Sequence, residues 1–167
     1  WFATTNGISR LNNSSNFMKV VEEIYTAGEI LAGNQIRDMV MQDNSLWMST
    51  VHGVIKKDGK GRRDYFSSSS EYTNNKILLD NVNALMLDDL ERVWIGTAGG
   101  INVWDVKREK MLSYSANDEN GLTSNYISGF TSTTDGSMWV TAWEGGLFKV
   151  EGDLKQMKDI RFKLINK

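Results

Sequence analysis

The sequence predicts an all-β chain, a β-propeller fragment of about three and a half to four four-stranded antiparallel blades. Three observations predict it. A tryptophan within an apolar run recurs at Trp1, Trp47, Trp94 and Trp139, at spacings of 46, 47 and 45 residues. Around each one the side chains alternate: Phe2, Met48, Ile95 and Val140 fall on the opposite face, and small Ala3, Ser49, Gly96 and Thr141 on the tryptophan's own face. That alternation describes a strand buried on both sides, with room beside the indole for a neighbouring sheet. No repeat holds a sustained apolar pattern of period 3.6, so helical arrays, the other architecture of this period, fit poorly.

The elements follow in order within each repeat, over approximate ranges 1–35, 36–81, 82–125 and 126–167. An apolar strand begins at Ile36, Val82 and Ile127, and the polar turns "QDNS", "DDLER" and "TDGS" then lead into the tryptophan strand. Asp135-Gly136 is a tight-hairpin signal. Six residues after each tryptophan stands a glycine, Gly7, Gly53, Gly100 or Gly145, at a turn where positive φ costs it little; the last copy carries one extra residue, as Gly145-Gly146. A third strand follows as "ISRL", "VIKK", "INVWD" or "LFKV", and "GRRDYFS" and "KMLSYS" make fourth strands. The first copy lacks its upstream strand, and "FMKVVEEIYTAGEIL" from Phe17 reads as an irregular outer strand or a short helix. "SSSSEYTNNK" from Ser67 is a polar insertion with too little apolar surface to fold alone, expected to be a mobile loop.

The repeating tryptophans read as core. Each buries about 150–250 Å², worth at most about 4–6 kcal/mol by transfer arithmetic, and none is expected to act in catalysis.

Composition narrows the function. The 167 residues carry 19 Lys and Arg against 21 Asp and Glu, a formal charge of -2, which offers no basic field for nucleic acid and no polybasic segment for an anionic membrane. With no cysteine and a single histidine, His52, thiolate and imidazole metal sites are not expected, and neither is any cofactor. "ANDENG" from Ala116 gathers oxygens, but its spacing does not fit a calcium loop. No stretch is long and apolar enough for a membrane helix, and the opening Trp1-Phe2 reads as the edge of an excised piece of a longer protein.

A propeller brings two kinds of loop to one face: those joining the second and third strands of a blade, and those linking successive blades. Here the first kind presents Thr5-Asn6, Val51-His52, Ala98-Gly99 and Trp143-Glu144, and the second Gly33-Asn34-Gln35, Asp80-Asn81 and Ser124-Asn125. Trp143 stands where the other copies have Thr5, Val51 or Ala98, and its ring could stack on the apolar face of a sugar or fold back onto the blade. Glu144 offers acceptors for sugar hydroxyls, or is simply solvated, and His52 is a ligand contact or an exposed turn residue. Asn6, Asn34, Asn81 and Asn125 are ligand candidates whose plain alternative is turn formation.

The stretches "DGSMWVTAWEGGLFKV" and "DDLERVWIGTAGGINVWD", with the inter-blade link "ENGLTSNYISGF", resemble the two-component regulator propeller repeat. Thr141-Ala142 and Ser49 depart from its Gly-Thr pattern, as repeats commonly do. The resemblance implies the periplasmic sensor region of a hybrid histidine kinase of the gut-bacterial polysaccharide-utilisation type, an extracytoplasmic part of an inner-membrane protein. Such a region would detect glycan-derived oligosaccharides and pass the signal to cytoplasmic kinase domains absent from these residues.

Two other readings stay open: a protein-binding scaffold without a small-molecule ligand, and a polysaccharide-active enzyme. The enzyme would need paired carboxylates facing one cleft, whereas Glu22-Glu23, Asp88-Asp89 and Asp118-Glu119 are adjacent pairs without partners at matching positions. The expected partners are an oligosaccharide and, because an incomplete ring leaves apolar blade faces open, a second copy of the chain as a homodimer.

Overall fold

The structure is a computed structural model that describes residues 2–4, 7–9, 35–69 and 75–166. Trp1, Asn6, Asn34, the segment from Phe17 and the middle of the serine-rich insertion lie outside the described residues. Phe2–Thr4 (β1) and Gly7–Ser9 (β2) form a two-stranded antiparallel pair in which Thr4 faces Gly7.

Three four-stranded antiparallel sheets follow among the described residues, each in sequential strand order. The first, blade I, comprises Asp38–Gln42 (β3), Ser45–Thr50 (β4), Gly53–Lys57 (β5) and Arg63–Phe66 (β6). Blade II is built from Val82–Leu87 (β7), Arg92–Thr97 (β8), Gly100–Asp105 (β9) and Lys110–Tyr114 (β10). Blade III has Ile127–Ser132 (β11), Met138–Ala142 (β12), Gly146–Glu151 (β13) and Arg161–Asn166 (β14), with one turn of 3-10 helix at Met157–Asp159 before the last strand. The expected fourth strands at "GRRDYFS" and "KMLSYS" are β6 and β10.

Trp47 and Trp94 each pack against the blade that follows. Trp47 is fully buried with Phe66 against Val82, Leu85, Ile95 and Trp104 of blade II, and Phe66 meets Trp104 edge-on at 5.2 Å between ring centroids. Trp94, also fully buried, meets Phe130 of blade III edge-on at 6.2 Å. The small residue beside it exists for that neighbour: a Cβ on Gly96 would come within 2.7 Å of Ile127 Cγ2 and 2.9 Å of Phe130 Cε2. On the opposite face, Met48, Ile95 and Val140 are all buried, as the alternation requires.

Trp139 differs from the expectation that it is core like the others. It is only half-buried, because no sheet covers its face among the described residues, and Thr141 beside it is exposed together with Leu147 and Ile165. Its indole N–H is buried without an acceptor among the described residues, and Lys149 Nζ lies 5.7 Å from the ring centroid. The matching N–H of Trp47 donates to Gln42 Oε1 at 3.1 Å, and that of Trp94 to Asp88 Oδ2 at 2.8 Å.

Polar side chains bind blade to blade at the hairpin-turn end. Gln42 Nε2 donates to the Glu91 carbonyl at 2.8 Å. Asp88, in the polar "DDLER" turn, is buried beside Arg92, whose side chain is 3% exposed and lies 2.5 Å from it. Arg92 Nη1 reaches across to the Leu154 carbonyl at 2.5 Å and to Met157 Sδ of blade III. The pair is fixed by bonds from Arg92 and Leu90 N–H to Asp88, so the charges are compensated where they are dehydrated. Tyr114 closes the outer edge, donating its hydroxyl to the Met157 carbonyl at 2.5 Å, and burial pushes the phenol up to about 12.

The hairpin turns form as predicted at Asp135-Gly136, where Gly136 has φ 81° and its N–H meets the Thr133 carbonyl at 2.9 Å. Hydrogen bonds to Asp135 from Thr133, then from Ser137, hold this exposed carboxylate down to about 2.

Candidate functional site

The loops between second and third strands and the inter-blade links meet on one face because main-chain hydrogen bonds tie them together. Ala98 N–H donates to the Asn81 carbonyl at 3.0 Å, and at the matching place in blade III Trp143 N–H donates to the Tyr126 carbonyl at 2.8 Å. Gln35, Asn81 and Tyr126 are thus equivalent residues, each next to the apolar residue that opens a blade.

In blades I and II the turn on this face is short and closed by a threonine. Thr50 Oγ1 donates to the Gly53 carbonyl at 3.1 Å and accepts from His52 N–H at 2.9 Å; Thr97 Oγ1 does the same for Gly100 and Gly99. Gly53 and Gly100 open the next strand with φ 117° and 129°, and a Cβ on Gly100 would stand 2.3 Å from the Tyr114 carbonyl oxygen. Glycine is required there by both conformation and space.

Blade III departs from this arrangement. Ala142 has no hydroxyl, the turn is one residue longer, and the glycine that faces the last residue of the second strand is Gly146, with φ 95°, rather than Gly145. Gly145 instead sits buried within the turn, where a Cβ would lie 2.8 Å from Ser124 Cβ. The extra residue puts Glu144 at φ 58° with its side chain exposed, and pushes Trp143 outward to 67% exposure. Ser124 Oγ donates to the Trp143 carbonyl at 2.8 Å and accepts from Tyr126 N–H at 3.3 Å, so the turn is fastened to the link beneath it.

Tyr126, 39% exposed, stands beside Trp143 with 6.2 Å between ring centroids and 60° between the planes. Two exposed, edge-on rings on a tethered turn offer an apolar surface bordered by polar main chain, the form in which proteins contact sugar rings and other amphipathic groups.

The other sequence-derived candidates divide. His52 is exposed in the blade I turn and apart from this pair in the fold. Asn125 is half-buried, and its Oδ1 accepts from Ala116 N–H at 2.6 Å, which is a turn-forming duty. Asn81 is half-buried, and its Oδ1 accepts from Arg37 Nη1. The oxygens of "ANDENG" serve their own loop: Asp118 accepts from Ser115, and Asn120 bonds Leu122 N–H and the Ser115 carbonyl.

Sequence reasoning missed Tyr126, Arg37 and Asn83. Arg37 and Asn83 follow directly on Ile36 and Val82, at the innermost edge of the loop face. Arg37 Nη1 donates to both Asn81 and Asn83 side-chain carbonyls of blade II, and Asn83 Nδ2 donates to the Ile127 carbonyl of blade III at 2.8 Å. The available signal was a tyrosine at the position filled by Gln35 and Asn81 in the other copies.

No family model matches the chain, and no curated protein does. Among solved structures, the fold is similar to the extracellular domain described as that of the hybrid two-component system BT4673 from B. thetaiotaomicron, at TM-score 0.74 and 21% identity over 99% of this chain. The corresponding domain of BT3049 from the same organism matches at TM-score 0.71 and 22% identity over 98% of the chain. The chain spans about a fifth of the length of each: 20% and 21%. Virginiamycin B lyase from Staphylococcus aureus is similar at TM-score 0.55 and 17% identity, over 79% of this chain and 42% of the lyase. The repeat of four-stranded antiparallel sheets thus has the fold of a portion of the extracellular domains of hybrid two-component systems.

Proposed function

We propose that the chain is part of the extracytoplasmic, periplasmic sensor region of a hybrid two-component system. In this reading it binds a glycan-derived oligosaccharide on the loop face, and signalling domains outside these residues receive the result. The observation that carries the reading is the exposed Trp143–Tyr126 pair, set on the turn that, of the three described blades, departs from the repeat's pattern. The ring faces would stack on the C–H face of a pyranose, with Glu144 beside them as an acceptor for hydroxyls.

Binding rather than catalysis is favoured by what the carboxylates do. Asp88 is committed to Arg92 and Trp94, and Asp118 to Ser115, which leaves neither poised as an acid or base. The structural likeness to sensor domains supports the setting, and the lyase likeness extends to the fold.

The test is calorimetric titration of the full native extracytoplasmic region with a panel of plant and host glycan oligosaccharides, then of Trp143→Ala. The expected result is binding that weakens about tenfold or more on substitution. Binding unaffected by the substitution would overturn this placement of the site, and no binding by any oligosaccharide would overturn the sensor reading in favour of a protein-binding scaffold.

A further inference from the structure

We infer that the ligand of this face carries a carboxylate, and that Arg37 receives it. The inference rests on the sugar-binding reading above and adds the chemical class of the ligand. Arg37 is exposed at the innermost edge of blade I, yet it is not a free-swinging side chain: Nη1 spends both its N–H groups on the side-chain carbonyls of Asn81 and Asn83. Both acceptors are neutral amides. No carboxylate pairs with Arg37 among the described residues, so its charge stands uncompensated while its orientation is fixed.

The geometry leaves one edge of the guanidinium available. With Nη1 consumed, Nε–H and the Nη2 N–H groups have no hydrogen-bond partner among the described residues, and the Nε–Nη2 edge is one that pairs bidentately with a carboxylate. An arginine held by two neutral bonds has already given up much of its side-chain freedom, so a ligand ion loses less on meeting it.

The neighbouring carboxylates are occupied or remote in the fold. Asp38 Oδ2 accepts from Leu85 N–H at 2.8 Å, in the seam between blades, and Asp80 Oδ1 accepts from Ser68 N–H at 2.5 Å. Glu144 belongs to the blade III turn, at the other end of the string. That string is continuous: Arg37 to Asn83, Asn83 to the Ile127 carbonyl, then Tyr126 and Trp143. One ligand lying along it would place a sugar ring on the aromatic pair and its acidic group on the guanidinium. A uronic-acid-containing oligosaccharide has both chemistries.

The experiment uses the full native chain and matched probes: oligogalacturonides and glucuronate-containing disaccharides, each beside its neutral carboxyl-reduced counterpart, and a sulfated oligosaccharide without uronic acid as a separate arm. Calorimetry at low and moderate salt is expected to show the acidic member binding about tenfold or more tighter than its neutral partner, with the gap narrowing as salt rises. Arg37→Gln should close the gap and abolish its salt dependence, weakening the acidic member far more than the neutral one; Arg37→Lys should restore only part of it.

Equal binding of acidic and neutral members, or a gap that persists in Arg37→Gln, would overturn the inference. So would preference for the sulfated probe over every carboxylate. If neutral probes bind and lose affinity in Trp143→Ala without any acid preference, the sugar reading survives and this inference falls. If no probe binds, both fall.

Discussion

The turn at Ala98-Gly99 and the turn at Trp143-Glu144-Gly145 occupy the same place in consecutive blades, yet they are built for different ends. The first is short, closed by the Thr97 hydroxyl and covered by Leu79, to whose Cγ a Cβ on Gly99 would approach within 2.9 Å. The second lacks the hydroxyl, is longer by one residue, holds Glu144 in the left-handed region and carries a tryptophan into solvent. A repeat keeps its pattern where the pattern serves folding. Where a turn gives up its closing hydroxyl and accepts an unfavourable backbone, another requirement is acting on it.

The largest expected effect separates the two kinds of tryptophan. Trp94→Ala empties a fully buried site between blades and should cost about 3–5 kcal/mol in denaturant unfolding, whereas Trp143→Ala should stay within about 0.5 kcal/mol. Equal costs would break the comparison, because Trp143 would then be a structural residue.

Next in size is Gly96→Val, which drives a side chain into Ile127 and Phe130 and should destabilise by about 1–3 kcal/mol. Thr141→Val, at the matching but exposed position of blade III, should change stability by less than about 0.5 kcal/mol. A similar penalty at both would mean that the two faces are equally covered.

Tyr114→Phe removes the bond to the Met157 carbonyl and should cost about 1–2 kcal/mol. Because the folded phenol is raised from 10.0 to about 12, its contribution is fully present below pH 10 and lost as pH rises through about 12. The wild-type protein should therefore lose stability across that window relative to Tyr114→Phe, in unfolding measured from pH 9 to 12.

The smallest effect sharpens the contrast between the turns themselves. Thr97→Ala should cost about 1 kcal/mol by deleting the hydroxyl bonds that close the turn, while Ala142→Thr should give no matching gain, since the longer turn moves the acceptor away. A gain of about 1 kcal/mol from Ala142→Thr would show that the blade III turn had kept the same closure.

Much of the scaffold was legible because it repeats. The tryptophan period, the alternation around Met48, Ile95 and Val140, and the need for Gly96 are local features of single strands, and strands with one solution for burial reveal it in their order of residues. Trp143 was legible for the same reason, as an exception to a pattern. What the pattern could not convey arises between blades. Arg37 meets residues 44 and 46 positions away, Asn83 meets one 44 away, and Arg92 reaches Leu154 across 62. Such contacts depend on how sheets stack, which composition and spacing do not encode. The same cause explains Asp88, which stands in a polar turn of the sequence and is a buried ion-pair partner in the fold. It also explains Trp139, whose pattern matches Trp94 and whose burial does not, because its neighbour decides it. The six-residue spacing singles out Gly145 as the turn glycine, whereas the pairing of Ala142 with Gly146 and the positive φ of Gly146 give that role to the next residue, because the turn is one residue longer.

The central claim is that ligand meets this protein at the outward-turned ring of blade III. Uniform 5-fluorotryptophan labelling gives one fluorine probe for each of the 6 tryptophans, with the Trp143 resonance assigned by its loss in Trp143→Phe. On titration with a bound oligosaccharide, the account predicts that the Trp143 resonance moves while those of Trp47 and Trp94 stay fixed. Saturable binding that leaves the Trp143 resonance in place would contradict it.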